Sequence, residues 1–210
     1  MKLRLPSLLL TLLLAACSRQ GSVVDGGIYT VRSACPQVAI PAGTGDVTLF
    51  DPAGMAEASA IDVTATMTHV RASCVESGSH IVSTATFNVL ATRRDAGQAR
   101  QVVLPYFDVV VQAGNQVVAK RVGQVGLNFA AGSVRAQTSG QASVRISRAA
   151  ATLPEDVRAV LTRPRKVGDE DAAIDPLSDP AVREAVARAS FQHLVGFQLN
   201  PDQLRYNATR

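Results

Sequence analysis

Apolar and polar residues alternate along much of the chain between residues 28 and 147, and this alternation predicts β-strands. The clearest example is 81–91, where every second residue except Ser83 is apolar, the period of a strand with one buried face. Residues 62–74 alternate too, but the phase changes near Thr68 and His69, which predicts a β-bulge. Further strands are predicted at residues 28–31, 38–40, 47–50, 102–111, 117–129, around 144–146 and 191–199.

The segment 102–111 is almost entirely apolar, which is typical of a strand buried on both faces. Pro105 within it indicates a sheet edge or a bulge, because proline cannot donate to a strand ladder. Ala113-Gly114-Asn115 predicts a tight hairpin turn into the next strand, where Gly123 and Gly126 suggest a bend. Many short strands with such connections favour a sandwich or a barrel. We expect a mainly β fold, an Ig-like antiparallel β-sandwich.

The composition changes at residues 152–190, which we interpret as a helical insertion before the last strand of a domain covering residues 28–210. Thr152-Leu153-Pro154-Glu155 has the form of a capping box with proline in the first turn, and predicts a short helix to about residue 161. Asp179-Pro180 predicts the start of a second helix. The charged, Pro-rich residues 163–178 between them predict a surface loop. The same capping logic at Asn200 predicts a last helical turn.

The first residues follow a different pattern. Lys2 and Arg4 precede an apolar run at 8–14, and small residues follow it, as in a signal peptide. The run is much shorter than the ~20 residues of a transmembrane helix. Leu14-Ala15-Ala16-Cys17 matches the lipobox of bacterial lipoproteins, in which the leader is removed and the cysteine sulfur receives a diacylglycerol.

The lipobox predicts a signal peptide at residues 1–16 and a lipidated tether at 17–27, with Cys17 as the lipidation site. The alternative is an ordinary secretory signal that leaves Cys17 as a plain thiol. Ser18 stands where Asp would favour retention in the inner membrane. We therefore expect a lipid-anchored protein of the outer membrane that faces the periplasm.

The charge balance is close to neutral in the predicted mature protein. The chain has 21 basic and 17 acidic side chains and a net charge of +4. Loss of Lys2 and Arg4 with the leader reduces that charge to +2. Such a balance does not require a nucleic-acid partner, and we expect none.

Two cysteines remain once Cys17 is assigned to lipid. Cys35 and Cys74 in an oxidising compartment predict a disulfide, joining neighbouring strands or the two sheets. The alternatives are two buried thiols or a metal site. A metal site needs more ligands at fixed spacing, and the sequence has no Cys-x-x-Cys or His-x-x-x-His. We predict no metal and no cofactor.

Three histidines and one aspartate are the candidates for chemistry, since nucleophile-elbow, phosphate-loop and metalloprotease motifs are missing from the sequence. His69 and His80 are candidates for a weak metal or proton site across a hairpin, although exposed histidines are the commoner outcome. His193 is expected to be partly buried and hydrogen-bonded. Asp108 must be exposed or paired, because burying a lone carboxylate is costly. Lys120 or Arg121 is its predicted partner in a structural ion pair.

The basic cluster at Arg163, Arg165 and Lys166 lies in the predicted surface loop. Its default interpretation is a solvated loop, and the alternative is contact with phosphate-bearing lipid.

Several short motifs resemble a group of alphaproteobacterial lipoproteins of unknown role. They are the lipobox, Ala34-Cys35-Pro36, the stretches 104–110 and 118–120, and a carboxy-terminal segment at 195–207 that contains Gly196-Phe197-Gln198-Leu199. The resemblance covers most of the β domain and the tail. It implies a location and a fold, and it carries no known activity.

The sequence thus favours a membrane-anchored interaction or scaffolding module over an enzyme. Edge strands of the sandwich would bind an envelope protein by strand addition, and the lipid anchor would concentrate the module near partners on the same membrane. The first alternative is a periplasmic lipid or small-ligand carrier with an apolar cavity. The second is an envelope hydrolase on the insertion, in which His193 or His80 would meet an acid and a nucleophile.

Overall fold

The computed structural model describes residues 33–209 except 165–167, 169 and 171–172. Within them, eight strands form two four-stranded sheets that pack face to face as a β-sandwich. The mainly β sandwich predicted from the sequence is therefore confirmed. The predicted signal peptide, the tether with Cys17 and the strand at 28–31 lie outside the described residues.

The two sheets are built from distant parts of the chain. Every strand pairing is antiparallel except that of β1 with β8, which is parallel. An entirely antiparallel arrangement was therefore wrong at this one pair. In spatial order, the first sheet contains β1 (Gln37–Ala39), β8 (Phe191–Phe197), β5 (Arg100–Gln112) and β6 (Gln116–Phe129), and the second contains β2 (Asp46–Phe50), β3 (Ile61–Ser77), β4 (His80–Arg93) and β7 (Arg135–Ser147).

Two predicted irregularities can be placed on the strands. The register between β3 and β4 shifts after Thr68, and His69 has a φ of 52°, so the predicted bulge is confirmed. Pro105 pairs with β6, but β8 pairs with β5 only from Tyr106 onward. Pro105 therefore lies just beyond the end of the β8 pairing, where the N–H of Gln198 donates to its carbonyl. Because β5 is an interior strand with a regular register at this residue, the predicted sheet edge or bulge at Pro105 was wrong.

In the described residues, four short helices follow the seventh strand: α1 (Arg148–Ala151), α2 (Glu155–Thr162), α3 (Pro180–Arg188) and α4 (Pro201–Thr209). Side-chain caps explain where the last two begin. The Asp179 side chain accepts from the backbone N–H of Ala181 and caps α3, as predicted. Asn200 and Gln203 cap α4 reciprocally, and that helix is longer than the single turn expected. The capping box predicted at Thr152 was wrong, because its hydroxyl donates to the carbonyl of Arg148 in α1.

The interior between the sheets contains a larger and a smaller apolar cluster. The larger includes Phe87, Phe129 and Phe197, each no more than 1% exposed. The smaller is built from Ile81, Val110, Val144, Ile146 and Ala151. The Cys35–Cys74 disulfide packs on this smaller cluster, with a Cα–Cα distance of 6.0 Å. It joins the residues before β1 to β3 and so links the two sheets.

Candidate functional site

Three buried polar side chains lie between the two apolar clusters: Ser83 on β4, Asp108 on β5 and His193 on β8. We call them the polar layer. Two residues away on the same strands, Ile81, Val110 and Phe191 belong to or pack on the smaller cluster, whereas Ala85, Tyr106 and Val195 belong to or pack on the larger. The polar layer therefore divides the core into two apolar parts.

Hydrogen bonds connect the polar layer into one chain. His193 Nε2 lies 2.9 Å from Asp108 Oδ1, and His193 Nδ1 lies 2.9 Å from the Ser83 hydroxyl. Because a carboxylate can only accept, the Nε2–H donates to Asp108, and in the neutral ring Nδ1 accepts from Ser83. Arg121 Nη2 donates to the second carboxylate oxygen, Asp108 Oδ2, at 3.3 Å. His193 is completely buried and not partly buried as predicted, whereas its predicted hydrogen bonding is confirmed. The predicted pairing of Asp108 with Arg121 is confirmed too.

The polar layer has the residue types of a catalytic triad but not its accessibility. Ser83 and His193 are 0% exposed, so no substrate can reach the serine oxygen in this conformation. The network is carried by β4, β5, β6 and β8, and none of its residues belongs to the 152–190 insertion where a hydrolase site was considered. A fully bonded buried network of this kind fixes the packing of the strands that carry it.

Tyr106 is the inward residue of β5 that precedes Asp108, and its ring lies over Gly123 of β6. A Cβ on Gly123 would lie 2.5 Å from the Tyr106 ring, so only glycine leaves room for it. The Tyr106 hydroxyl donates to the carbonyl of Gln141 on β7 at 3.0 Å. Tyr106 therefore closes the space between β6 and β7. Burial raises the pKa of this phenol, and the charge of Asp108 raises it further.

Phe87 and Gly140 form an equivalent pair in the other sheet. They are cross-strand partners on β4 and β7, and a Cβ on Gly140 would lie 2.4 Å from the ring of Phe87. The rings of Phe87 and Tyr106 meet edge to face with centroids 5.2 Å apart. Gly123 thus serves this ring contact, whereas the register shift of β5 and β6 lies elsewhere, at Val118. The bend predicted at Gly123 and Gly126 stays a prediction.

Beyond Tyr106 the edges of β6 and β7 separate and leave a cavity of about 530 Å³. We call this cavity the edge groove. Its walls are residues 119–121 of β6 and 143–145 of β7, and Asp108 and Val82 also line it. Asp108 is 5% exposed, so the polar layer meets solvent at the groove.

Strand β6 is the outermost strand of its sheet, and its first half is exposed. Val117 and Val122 are 59% and 58% exposed. Lys120 lies 5.8 Å from the centroid of the Phe107 ring on the outer face, while Arg121 turns inward to Asp108. Lys120 is therefore not the partner of Asp108.

The remaining candidates are not brought together. His80 lies beside the hairpin turn opposite Ser77, and His69 lies eight residues farther along β3, about 25 Å away at the rise of a strand. Each ring bonds only to its neighbour in the chain, Thr68 or Ser79. The predicted facing pair was therefore wrong. Arg163 is exposed, and Arg165 and Lys166 lie outside the described residues.

No group of three metal-ligating side chains occurs among the described residues. None of the helices in that part of the chain combines the length and the apolar character needed to cross a bilayer. Comparisons with protein-family models, with curated proteins and with solved structures found no match.

Proposed function

We propose that this chain is a lipid-anchored lipoprotein of the bacterial envelope whose sandwich binds a partner protein along the edge of β6. The observation that supports this proposal is the exposed apolar edge at the start of that strand, with Val117 and Val122 both more than half exposed. An apolar edge without cover attracts another strand, and proteins usually protect such edges with charge or covering elements.

The usual protection of an edge is weak in β6. Lys120 and Arg121 are held over opposite faces of the sheet by Phe107 and Asp108. In the described part of the chain, residues 116–122 make backbone hydrogen bonds to β5 alone. The N–H and C=O groups on the side of β6 that points away from β5 are therefore available to a partner strand.

With a lipid anchor, even a weak interaction at the edge of β6 would be enough to hold a partner. Seventeen residues separate Cys17 from Cys35, and a chain of that length spans at most about 60 Å when extended. Acyl chains on Cys17 would confine the sandwich to that distance from the bilayer. Confinement raises the effective concentration of a partner on the same membrane without any further contact.

The carrier alternative would need an apolar cavity between the sheets. Phe87, Phe129 and Phe197 fill that space.

Site-specific crosslinking in intact cells tests the interaction. A photoreactive residue at Val122 should give one discrete adduct, and the same residue at Val75, which is 60% exposed on β3, should give none. Equal adducts at the two positions, or none at Val122, would contradict the proposed edge.

Fractionation tests the anchor separately. Cys17→Ala should move the protein from the membrane to the soluble periplasmic fraction and reduce the Val122 adduct, with an unchanged circular dichroism spectrum. A mature wild-type protein that carries no acyl chain by mass spectrometry would rule out the lipid anchor.

A further inference from the structure

We infer that the edge groove takes an extended segment with an acidic residue opposite Lys120 and an apolar residue opposite Val122, two positions apart. The inference rests on the proposed function and specifies the chemistry of the partner. It follows from the strand register of β6, from the face on which Lys120 and Val122 lie, and from the charge of the groove.

The register limits where a partner strand can pair. Val110 lies opposite Ala119 and Val111 opposite Val117, so Val118 is the extra residue of a bulge in β6. The bulge at Val118 interrupts the regular edge before residue 119. After residue 122, the Tyr106 ring lies over Gly123 and reaches towards β7. Residues 119–122 are therefore the pairing segment.

The faces of this segment determine the pattern of the ligand. Lys120 and Val122 lie opposite Val109 and Phe107 and so share the outer face of the sheet. Side chains of directly paired residues contact each other across antiparallel strands. A partner strand therefore places one residue against Lys120 and, two positions away, another against Val122. Their complements are a carboxylate and an apolar side chain.

The charge of the groove favours an acidic ligand. Lys120, Arg121 and Arg145 line it, and Arg145 makes no ion pair with the residues that the structure describes. The one acidic residue in the lining, Asp108, is 5% exposed and already bonded to Arg121 and His193. The groove thus presents an excess of positive charge, which attracts and orients a negatively charged partner.

The same charges argue against a second copy of this chain as the occupant. Antiparallel pairing of two β6 edges about a two-fold axis at residues 119–122 would bring Lys120 and Arg121 close to the same residues of the other copy. Like charges on facing positions destabilise a strand pair. We therefore favour a different protein with an acidic segment.

Peptide binding to the purified full chain tests the inference. The probe is a fluorescent eight-residue peptide of alternating threonine and valine with one central valine replaced by glutamate, and its matched control has glutamine there. We expect the glutamate peptide to bind at least tenfold more tightly at low salt and to lose that advantage at high salt. Amide NMR shifts should map to residues 119–122.

Two variants test whether Lys120 is the positive charge that selects the glutamate peptide. Lys120→Glu should abolish the preference for glutamate over glutamine. Arg135→Glu is the control, because Arg135 is an exposed arginine at the far end of β7 and outside the groove, and it should leave the preference unchanged. Equal affinity for the two peptides, shifts elsewhere, or a dimer of the free chain in sedimentation would each overturn the inference.

The crosslinking experiment separates this inference from the proposed function. If the Val122 adduct in cells is unchanged by Lys120→Glu, the edge binds a partner but the acidic assignment is wrong. If the glutamate peptide binds at 119–122 but cells give no adduct, the groove chemistry is right and the envelope function is wrong.

Discussion

Tyr106 and Asp108 are consecutive inward residues of β5, yet the sandwich is closed at the first and open at the second. At Tyr106, an aromatic ring fills the space over Gly123 and reaches β7. At Asp108, a carboxylate must be satisfied by His193 and Arg121, and the strand edges separate into a groove. The tyrosine closes this edge by packing and by one hydrogen bond to β7, whereas a buried carboxylate needs several polar partners and contact with solvent.

Each end has its own additional supports. We call the part from Tyr106 to Arg100 the closed end. There Arg100 bonds to both carboxylate oxygens of Asp62 and so links β5 to β3, and the buried Arg93 donates to four backbone carbonyls. The open end, from Asp108 to Gln112, is linked across the sheets by the Cys35–Cys74 disulfide.

Among these supports, the disulfide should contribute most to the free energy of unfolding. Cys35→Ala with Cys74→Ala should lower the free energy of unfolding by about 4 kcal/mol, because the bond closes a loop with a sequence separation of 39. Urea denaturation measures the loss, with Cys17→Ala as the control that should leave stability unchanged. A loss below about 1 kcal/mol would mean that the open end does not depend on this bond.

The polar layer should make the second largest contribution to stability. His193→Leu leaves Asp108 and Ser83 buried without their shared partner and should cost about 3 kcal/mol. His80→Leu, at an exposed histidine bonded only to Ser79, should change stability by less than about 0.5 kcal/mol.

A triple variant sharpens this prediction. Replacing Ser83 and Asp108 with Ala and Leu in the His193→Leu background removes the unsatisfied groups and should recover at least half of the loss. If the triple variant is no more stable than the single one, the cost arises from packing and not from unpaired polar atoms.

The closed end is tested at its glycine. Gly123→Ala should destabilise the fold by about 2 kcal/mol, because its Cβ would displace the Tyr106 ring. Gly126→Ala is the matched control on the same strand, since its Cβ would make only an ordinary 3.5 Å contact with Gln101. Thermal unfolding of both variants measures the difference, and equal effects would show that Tyr106 does not depend on Gly123.

The smallest effect should be that of pH. The pKa of Tyr106 is raised above its ordinary value of 10.0, so folding favours the neutral phenol. Its contribution is fully present below pH 10 and is lost as pH rises through the raised pKa. Between pH 9 and 11, stability should therefore fall more steeply in the wild type than in Tyr106→Phe. Parallel curves would place the phenol in solvent-like surroundings.

Local patterns in the sequence were enough to predict most of the strands. Strict alternation located β4, and the phase change located the bulge at His69. The first half of β7 was missed, because residues 135–143 are mostly polar and small. Its pairing with the long strand β4 keeps it extended despite that composition, and such tertiary support cannot be read from a single segment.

The site was predictable only in parts. Burial of His193 and pairing of Asp108 followed from their apolar surroundings. Ser83 was visible as the one polar residue in an apolar row, but its partner lies 110 residues away in the sequence. The groove depends on which strands form the sheet edges, and that order is set by long-range pairing.

Strand β8 comes last among the strands and yet is inserted between β1 and β5. A growing chain that has not yet produced residue 191 contains β1, β5 and the helices α1 to α3, but it lacks the strand that belongs between β1 and β5. Completion of the first sheet is a late, non-local event, and such events are intrinsically slow. Until β8 is made, the edges of β1 and β5 that it will cover stay unpaired. Unpaired strand edges promote aggregation, so chaperones would have to protect them.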